Sequence, residues 1–397
     1  MLPRVTSPER RLPENRPRSA LRFVVLIGVV SLFADFTYEG SRSITGPYLA
    51  VLGASATIVG IIAGLGELLG YALRLPSGRI SEATQKFWPI TIFGYVLQMA
   101  AVPLLAFART WLLAAVLIIL ERVGKAIRNP PRDVMLSHAA QEIGVGWGFG
   151  LHEALDQAGA LIGPLLVAAI LSSQQAYGLA FETLAIPAAL TIAMILIARF
   201  VYPHPEHLGT QTKTIDAHGF SRAFWIYLAG ACLVAAGFAD FSLAAYHFEK
   251  SDAIPAMWVP IFYSVAMAVS GAGSLVFGKW FDRAGLRVLV PLTIVSAAAT
   301  PLLFLGGFDL ALAGAAIWGL GMGVHESIIP AAVTTMVPTS RRPSAYGLFT
   351  AAYGIAWFVG SALLGFLYDV SRPALIVFSI AAELIAIPFF IVAQRHE

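Results

Sequence analysis

The chain has 397 residues; 58% are hydrophobic, a further 36 are glycine, and Asp, Glu, Lys and Arg together make up only 12%. That charged share is about half of what soluble domains carry, so no water-facing fold can hide the apolar surface and the bilayer is the main solvent. The net charge of +3 is small, and a lone cysteine, Cys232, excludes a disulfide framework and any cysteine-rich metal site.

Residues 1–20 carry five arginines and four prolines and read as a disordered basic cytoplasmic tail. The apolar run from Phe23 to Ala34 has the size of a signal-peptide core, but no small-residue cleavage site follows and the segment continues to about Ala50. It reads as a retained first span. Further apolar stretches recur near 56–75, 88–108, 111–128, 147–172, 178–200, 223–247, 257–278, 287–307, 310–331, 344–367 and 373–393, which makes twelve spans with the first. Helices are expected, because backbone amides in hydrocarbon must be satisfied within the segment and these runs are too long and too uniformly apolar for barrel strands. An all-α membrane protein follows.

With a cytoplasmic N-terminus, the outer connections hold only Arg109, Lys250 and Arg372. The inner ones hold clusters such as Arg74/Arg79/Lys86, Arg128/Arg132, Lys279/Arg283/Arg287 and Arg341/Arg342. Both termini are then expected on the cytoplasmic side of a cell inner membrane. The longest polar break, from Tyr202 to Ser221 with His204, His207, Lys213 and His218, divides the chain. The expected units are a tail (1–20), an N-terminal six-helix bundle (21–201), a linker (202–221), a C-terminal six-helix bundle (222–393) and a short tail (394–397).

An internal repeat supports the division. Phe33-Ala34-Asp35-Phe36 recurs as Phe238-Ala239-Asp240-Phe241, 205 positions later. Gly124 matches Gly323, Pro131 matches Pro330 and Trp147-Gly148 matches Tyr346-Gly347, each 199 positions apart. Two homologous halves imply a pseudo-twofold axis with a site between them.

Local motifs add to this. The segment after the eighth span reads Gly278-Lys279-Trp280-Phe281-Asp282-Arg283-Ala284-Gly285-Leu286-Arg287. The fourth span contains Glu121-Arg122-Val123-Gly124, and the fifth Gly159-Ala160-Leu161-Ile162-Gly163-Pro164. In these motifs the chain, over about residues 21 to 393, resembles the major facilitator superfamily, whose Gly-x-x-x-Asp-Arg-x-Gly-x-Arg signature the first segment fits. The resemblance implies two pseudo-symmetric six-helix bundles working by alternating access. It gives gating roles to Gly278, Asp282, Arg283, Gly285 and Arg287, places Arg122 near proton transfer, and links Gly159, Gly163 and Pro164 to export. The bland reading of those two glycines is helix packing. The matching N-terminal stretch, Gly70 to Arg79, departs from the signature, since Arg74 stands where an acid would be. The segment Arg128-Asn129-Pro130-Pro131-Arg132-Asp133 resembles bacterial permeases of unassigned substrate.

Ionisable groups inside a span are costly unless they face a polar cavity or one another. Asp35, Glu39 and Arg42 fall at i, i+4 and i+7 and share one face of the first helix; the bland alternative is a salt-bridged pair that only steadies two helices. Glu67 is lone in the second span and reads as functional or paired. Glu121, Lys125, Arg128 and Arg132 form a stripe in which Arg128 and Arg132 read as inner-surface anchors. Arg122, near mid-span, needs an acidic partner, and Glu153 or Asp156 is expected to supply it. His152 shares the face of Asp156, as a titrating group or as a hydrogen-bonded packing residue.

The second half is poorer in such groups, with Asp240, His247, His325 and Glu326, which together with Arg42, Glu67, Glu121, His152 and Glu153 are expected to line the substrate cavity; only Asp35 has an acidic counterpart, Asp240. Proton coupling is therefore expected at Asp35, Glu39, Arg122 and Asp156. The aromatic groups Trp318, Tyr353, Phe262, Tyr263 and Trp357 are expected to face the solute, with Trp258 as an interfacial residue.

No phosphate-cradling loop, nucleophile elbow or His-Glu-x-x-His pair occurs, which argues against an ATP-driven pump and against an enzyme. The expected function is a monomeric proton-coupled antiporter exporting a small organic solute or drug-like compound, with no cofactor, no resident metal and no nucleic-acid partner. Rival readings are a divalent metal cation exporter, using Asp35 and Glu39 with His247 and Cys232, a proton-coupled uptake symporter, and a polytopic membrane enzyme or lipid scramblase.

Overall fold

The computed structural model of the chain describes residues 16–174, 176–203, 220–252, 254–337 and 342–395. Among them no strand occurs, and the helices follow one another with short joints. In the first half these are α1 (Arg16–Val51), α2 (Ala56–Ala72), α3 (Arg74–Thr84), α4 (Phe87–Leu104), α5 (Trp111–Ile143), α6 (Val145–Gln174), α7 (Tyr177–Thr183) and α8 (Ala185–Val201). In the second half they are α9 (Arg222–Gly237), α10 (Phe241–Ser251), α11 (Trp258–Ala284), α12 (Leu289–Ala297), α13 (Ala299–Leu305), α14 (Phe308–Gly323), α15 (Ile329–Met336), α16 (Arg342–Val370) and α17 (Arg372–Arg395).

Ten helical stretches among the described residues are long and apolar enough to cross a bilayer. One of them, Trp258–Leu305, has 48 residues and bends at Gly285, whose φ of +56° ends α11 in a conformation that favours glycine. Helix α5 is not among the ten, because Glu121, Arg122, Lys125, Arg128, Arg132 and Asp133 interrupt its apolar run, yet its 33 residues span about 50 Å. The count of twelve follows only when the 48-residue stretch is divided at Gly285 and α5 is added.

Two boundaries differ from the sequence reading. Helix α1 begins at Arg16, so residues 16–20 are helical rather than part of a disordered tail, and Ala20 is fully buried. Helix α17 runs to Arg395, into the short tail expected from residue 394. The linker's ends are held in place: Trp88 donates to the Tyr202 carbonyl, and the Ser221 hydroxyl caps α9 by accepting from the Phe224 amide. Residues 1–15, the linker histidines and Lys213, and Arg341 lie outside the described residues.

The repeated Phe-Ala-Asp-Phe segment takes two conformations. Around Asp35 it is continuous helix, whereas Phe238–Asp240 interrupts the seventh span between α9 and α10. The break persists because Asp240 caps α10, its carboxylate accepting from the Ser242 amide.

The two halves meet through α1 against α10, α2 against α16 and α6 against α11. At the end away from the chain termini this seam is tight. A Cβ on Gly60 would sit 2.2 Å from the Ser361 carbonyl oxygen, and one on Gly365 would sit 2.4 Å from that of Ala56, so the backbones meet without side chains between them. Asp369 of α16 caps α2 across the seam, accepting from the amides of Ala56 (3.1 Å) and Thr57 (2.8 Å) and from the Thr57 hydroxyl (2.6 Å). Tyr246 donates to the Ala54 carbonyl, and Tyr177 donates to Glu249. This end is shut.

Gly60→Leu should pry α2 from α16 and expose the seam. In a chain with Cys232 replaced by serine, a Ser361→Cys reporter should then react faster with a membrane-impermeant maleimide added on that side; equal rates with and without the substitution contradict this packing.

Candidate functional site

Between the halves lies a cavity of about 320 Å³, a size suited to a small molecule. The α1 stripe supplies Asp35, Tyr38, Glu39 and Arg42; α2 supplies Glu67 and Tyr71; α5 supplies Arg122 and Lys125; α6 supplies Glu153, Asp156 and Gln157. The second half contributes Met267, Met322, His325 and Glu326. The cavity reaches toward the end bearing the termini, where a recess between α3 and α16 shares Arg74 with it.

The charges form a connected network. Arg42 reaches Glu67 at 3.3 Å and, across the seam, Asp240 at 3.2 Å. Arg122 donates to the same Glu67 oxygen at 2.9 Å, with Glu121 at 3.6 Å. Its expected partners, Glu153 and Asp156, lie on another wall; sequence could not choose among acids on α2, α5 and α6. The Tyr38 ring lies beneath these cations, 3.8 Å from Lys125 Nζ and 5.0 Å from the Arg122 guanidinium carbon, a favourable cation–π arrangement in a desolvated site.

Arg128 is not the surface anchor the stripe implied, for it is completely buried. Its Nη2 stands 3.5 Å from Asp35, its Nε donates to Gln98 at 2.6 Å and its Nη1 to the Tyr95 hydroxyl at 2.9 Å. The Gln98 amide in turn donates to Glu121 at 2.8 Å. Gly124 allows this close approach of α4 and α5, since any Cβ there would fall 2.6 Å from the Gln98 backbone nitrogen. Arg132 is also buried, held by Asp133 and by the Ser31 hydroxyl. Charges read as ordinary anchors point inward because α4 and α1 carry polar groups to receive them. Gln98, a lone amide in an apolar span, was the legible signal, and Tyr95, Tyr38 and Ser31 were not.

The remaining expected residues divide. Glu39 accepts from the Tyr263 hydroxyl of α11 and faces the cavity. Asp156 lines it with a buried Oδ1 that has no hydrogen-bond partner. His325 and Glu326 reach it from a π-turn, Val324–Ile328, whose extra residue rotates them; such turns are not readable from composition.

Other residues correct the reading. His152 bonds to the Ser31 hydroxyl at 2.8 Å and lines not the cavity itself but an adjoining recess with Arg132, Asp133 and Phe149, which shares Glu153 and Asp156 with the cavity. Asp240 is buried beneath Arg42 and is not part of the wall. Glu121 lines a small neighbouring void of about 20 Å³, room for about one water. His247 bonds to the Tyr368 hydroxyl and faces Phe304, away from the cavity, because the break at 238–240 changes the phase of α10. Trp318 donates to the Ala239 carbonyl and packs on Phe238 and Phe241, so it supports the break rather than facing a solute. Tyr353 stands behind His325, hydrogen-bonded to its Nδ1. Among the described residues no three His, Cys, Asp or Glu side chains are grouped to hold a metal ion, so Asp35, Glu39, His247 and Cys232 do not form one set.

Of the gating motif, Asp282, Arg283 and Arg287 are exposed at the end bearing the termini. Gly159 and Gly163 lie where α6 meets α1, each added Cβ falling 2.1 Å from a carbonyl oxygen, of Leu32 and Phe36 respectively. Pro164 follows inside α6.

Comparison with known proteins agrees with this architecture. The sequence model of the Major Facilitator Superfamily matches residues 27–361 and, in a second overlapping match, 258–397. The chain belongs to the major facilitator superfamily. It is a multi-pass membrane transporter and not an enzyme. "Uncharacterized protein Rv2265" of Mycobacterium tuberculosis (strain ATCC 25618 / H37Rv) is 40% identical over 385 residues, 95% of this chain and 94% of that one. "Uncharacterized MFS-type transporter MJ1317" of Methanocaldococcus jannaschii is 25% identical over 91% of this chain and 93% of its own. The crystal structure of the nucleoside transporter NupG superposes with a TM-score of 0.71 over 94% of this chain and 97% of that one, at 13% identity, a likeness of fold alone.

Breaking a buried ion pair leaves the other charge uncompensated, at a cost of about 3–5 kcal/mol. Asp35→Asn should therefore destabilise the purified transporter by about that much, because Arg128 is then unpaired, and adding Arg128→Met should restore part of the loss. Thermal denaturation of the single and double variants checks this; small, additive effects contradict the pairing.

Proposed function

We propose that this transporter is a proton-coupled antiporter of the cytoplasmic membrane that exports a small organic solute, its two halves rocking about the central cavity. The observation that carries the reading is the distribution of charge within that cavity. Arg42, Arg122 and Lys125 are engaged by Glu67, Asp240, Glu121 and Asp35. Glu153, Asp156 and Glu326 also face the space, and among the described residues none has a Lys, Arg or His nitrogen within 4.0 Å.

A carboxyl facing a half-dry cavity without a counter-ion is suited to exchange a proton for a solute. Asp156 fits the part best, since its buried Oδ1 is free of other bonds. Asp35 now reads as the counter-ion of Arg128 and Lys125, and Glu39 as the acceptor of Tyr263. Arg122 sets the local field by clamping Glu67. The unpaired acids favour a solute with a positive or hydrogen-bond-donating group, and Met267 and Met322 offer it an adaptable apolar surface. Export rests on the motif Gly159–Pro164, and the monomeric state on a pocket built within one chain. Cytoplasmic termini rest on the distribution of Lys and Arg between the connections.

A flux screen in proteoliposomes, across compound classes and with an imposed proton gradient, tests the proposal. A solute whose movement responds to the gradient is expected, and Asp156→Asn should abolish that response while leaving passive exchange, with Glu153→Gln as a milder control. Gradient-driven flux that survives Asp156→Asn unchanged contradicts the assignment.

A further inference from the structure

One buried acid lies apart from the cavity and its charged network. Glu383 sits at the middle of α17, only 1% exposed, and its Oε2 is buried without a hydrogen-bond partner. Facing it is Ser296 of α12, whose buried Oγ is directed at the carboxyl and meets no other polar group. On the third side is Gly237, the last residue of α9 before the break, where a Cβ would come within 3.2 Å of the Glu383 Cγ. One turn away, Ser379 donates to the Gly237 carbonyl at 2.7 Å and is hydrogen-bonded to Thr300 at 2.8 Å.

Among the described residues no counter-ion stands beside it. Helices α12 and α13 carry no ionisable side chain. On α9, Tyr227 donates to the Ile329 carbonyl and Cys232 is a partly buried thiol; on α16, Tyr353 is taken by His325. Among the described residues no Lys, Arg or His nitrogen lies within 4.0 Å of Glu383. A bare carboxylate cannot persist in such surroundings, so the group must carry a compensating charge. Carboxyl and hydroxyl oxygens beside the C-terminal carbonyls of a broken membrane helix are hard donors of the type that hold small cations.

We propose that Glu383, with Ser296 and the helix end at Gly237, forms a second ion site, inside the C-terminal bundle, that binds one small hard cation, a proton or a sodium ion. Binding is simple association of the cation with carboxylate oxygen. The site sits on a segment that leads to the cavity. Phe238, next to Gly237, packs against His325 with ring centroids 4.3 Å apart, and Asp240 holds Arg42 of the other half. A charge loaded behind the break therefore acts on the segment that bridges the halves. Because the site is distinct from Asp156, it stands or falls separately from the transport reading.

Infrared difference spectroscopy on the full-length protein in nanodiscs, with no solute present, tests this. The protonated carboxyl band that Glu383→Gln removes should vanish in the parent protein on going from about pH 5 to about pH 9, or on adding NaCl but not KCl at fixed pH. The first outcome identifies the proton and the second sodium. Ser296→Ala, which keeps the carboxyl, should shift the band and its midpoint. A Glu383 band that is the same at both pH extremes and in both salts identifies a permanently neutral structural acid and overturns the proposal, as does a Ser296→Ala spectrum identical to that of the parent.

Discussion

A charge in hydrocarbon must find a partner, and this constraint organises the molecule. Arg128, with no exposed surface, is surrounded by Asp35, Gln98 and Tyr95 from two other helices. Those contacts fix α1, α4 and α5 in register, and they leave Asp35 engaged before any solute arrives. Only acids that lie beyond the reach of these cations remain free for transport chemistry.

The same constraint joins the two halves. Arg42 divides its guanidinium between Glu67 in its own half and Asp240 in the other. Any motion that opens the shut end must part Arg42 from Asp240, unless the two helices carrying them move together, and must also separate Asp369 from the start of α2. Each of these is a small number of polar bonds beside bare backbone contacts. A carrier that must open at both ends needs a seam of that kind.

Much of this was readable from sequence, and the failures have a common cause. Hydropathy showed where helices lie, because bilayer thickness and backbone satisfaction leave little choice, and the α1 stripe was correct since helical periodicity places Asp35, Glu39 and Arg42 on one face. Pairing was not readable, as Arg122 and Glu67 come together only through the packing of α2 on α5. Helical periodicity loses its hold where the helix breaks: the interruption at 238–240 turns His247 away from the cavity, and the π-turn at His325 and Glu326 leaves no mark on composition. Arg128 and Arg132 lie toward the inner end of their span, and position alone cannot tell a buried charge from a surface one.

We expect one cavity to be presented to either side in turn as the charged network and the seam exchange partners. Double electron–electron resonance tests it most directly, with spin labels at Val51 and Val370, both well exposed at the shut end, in a chain with Cys232 replaced by serine. The account predicts two distance populations whose ratio changes with proton concentration or bound solute, the longer one enriched when Arg42→Gln removes the bridge to Asp240. A single distance, unmoved by either condition or by that substitution, would contradict it.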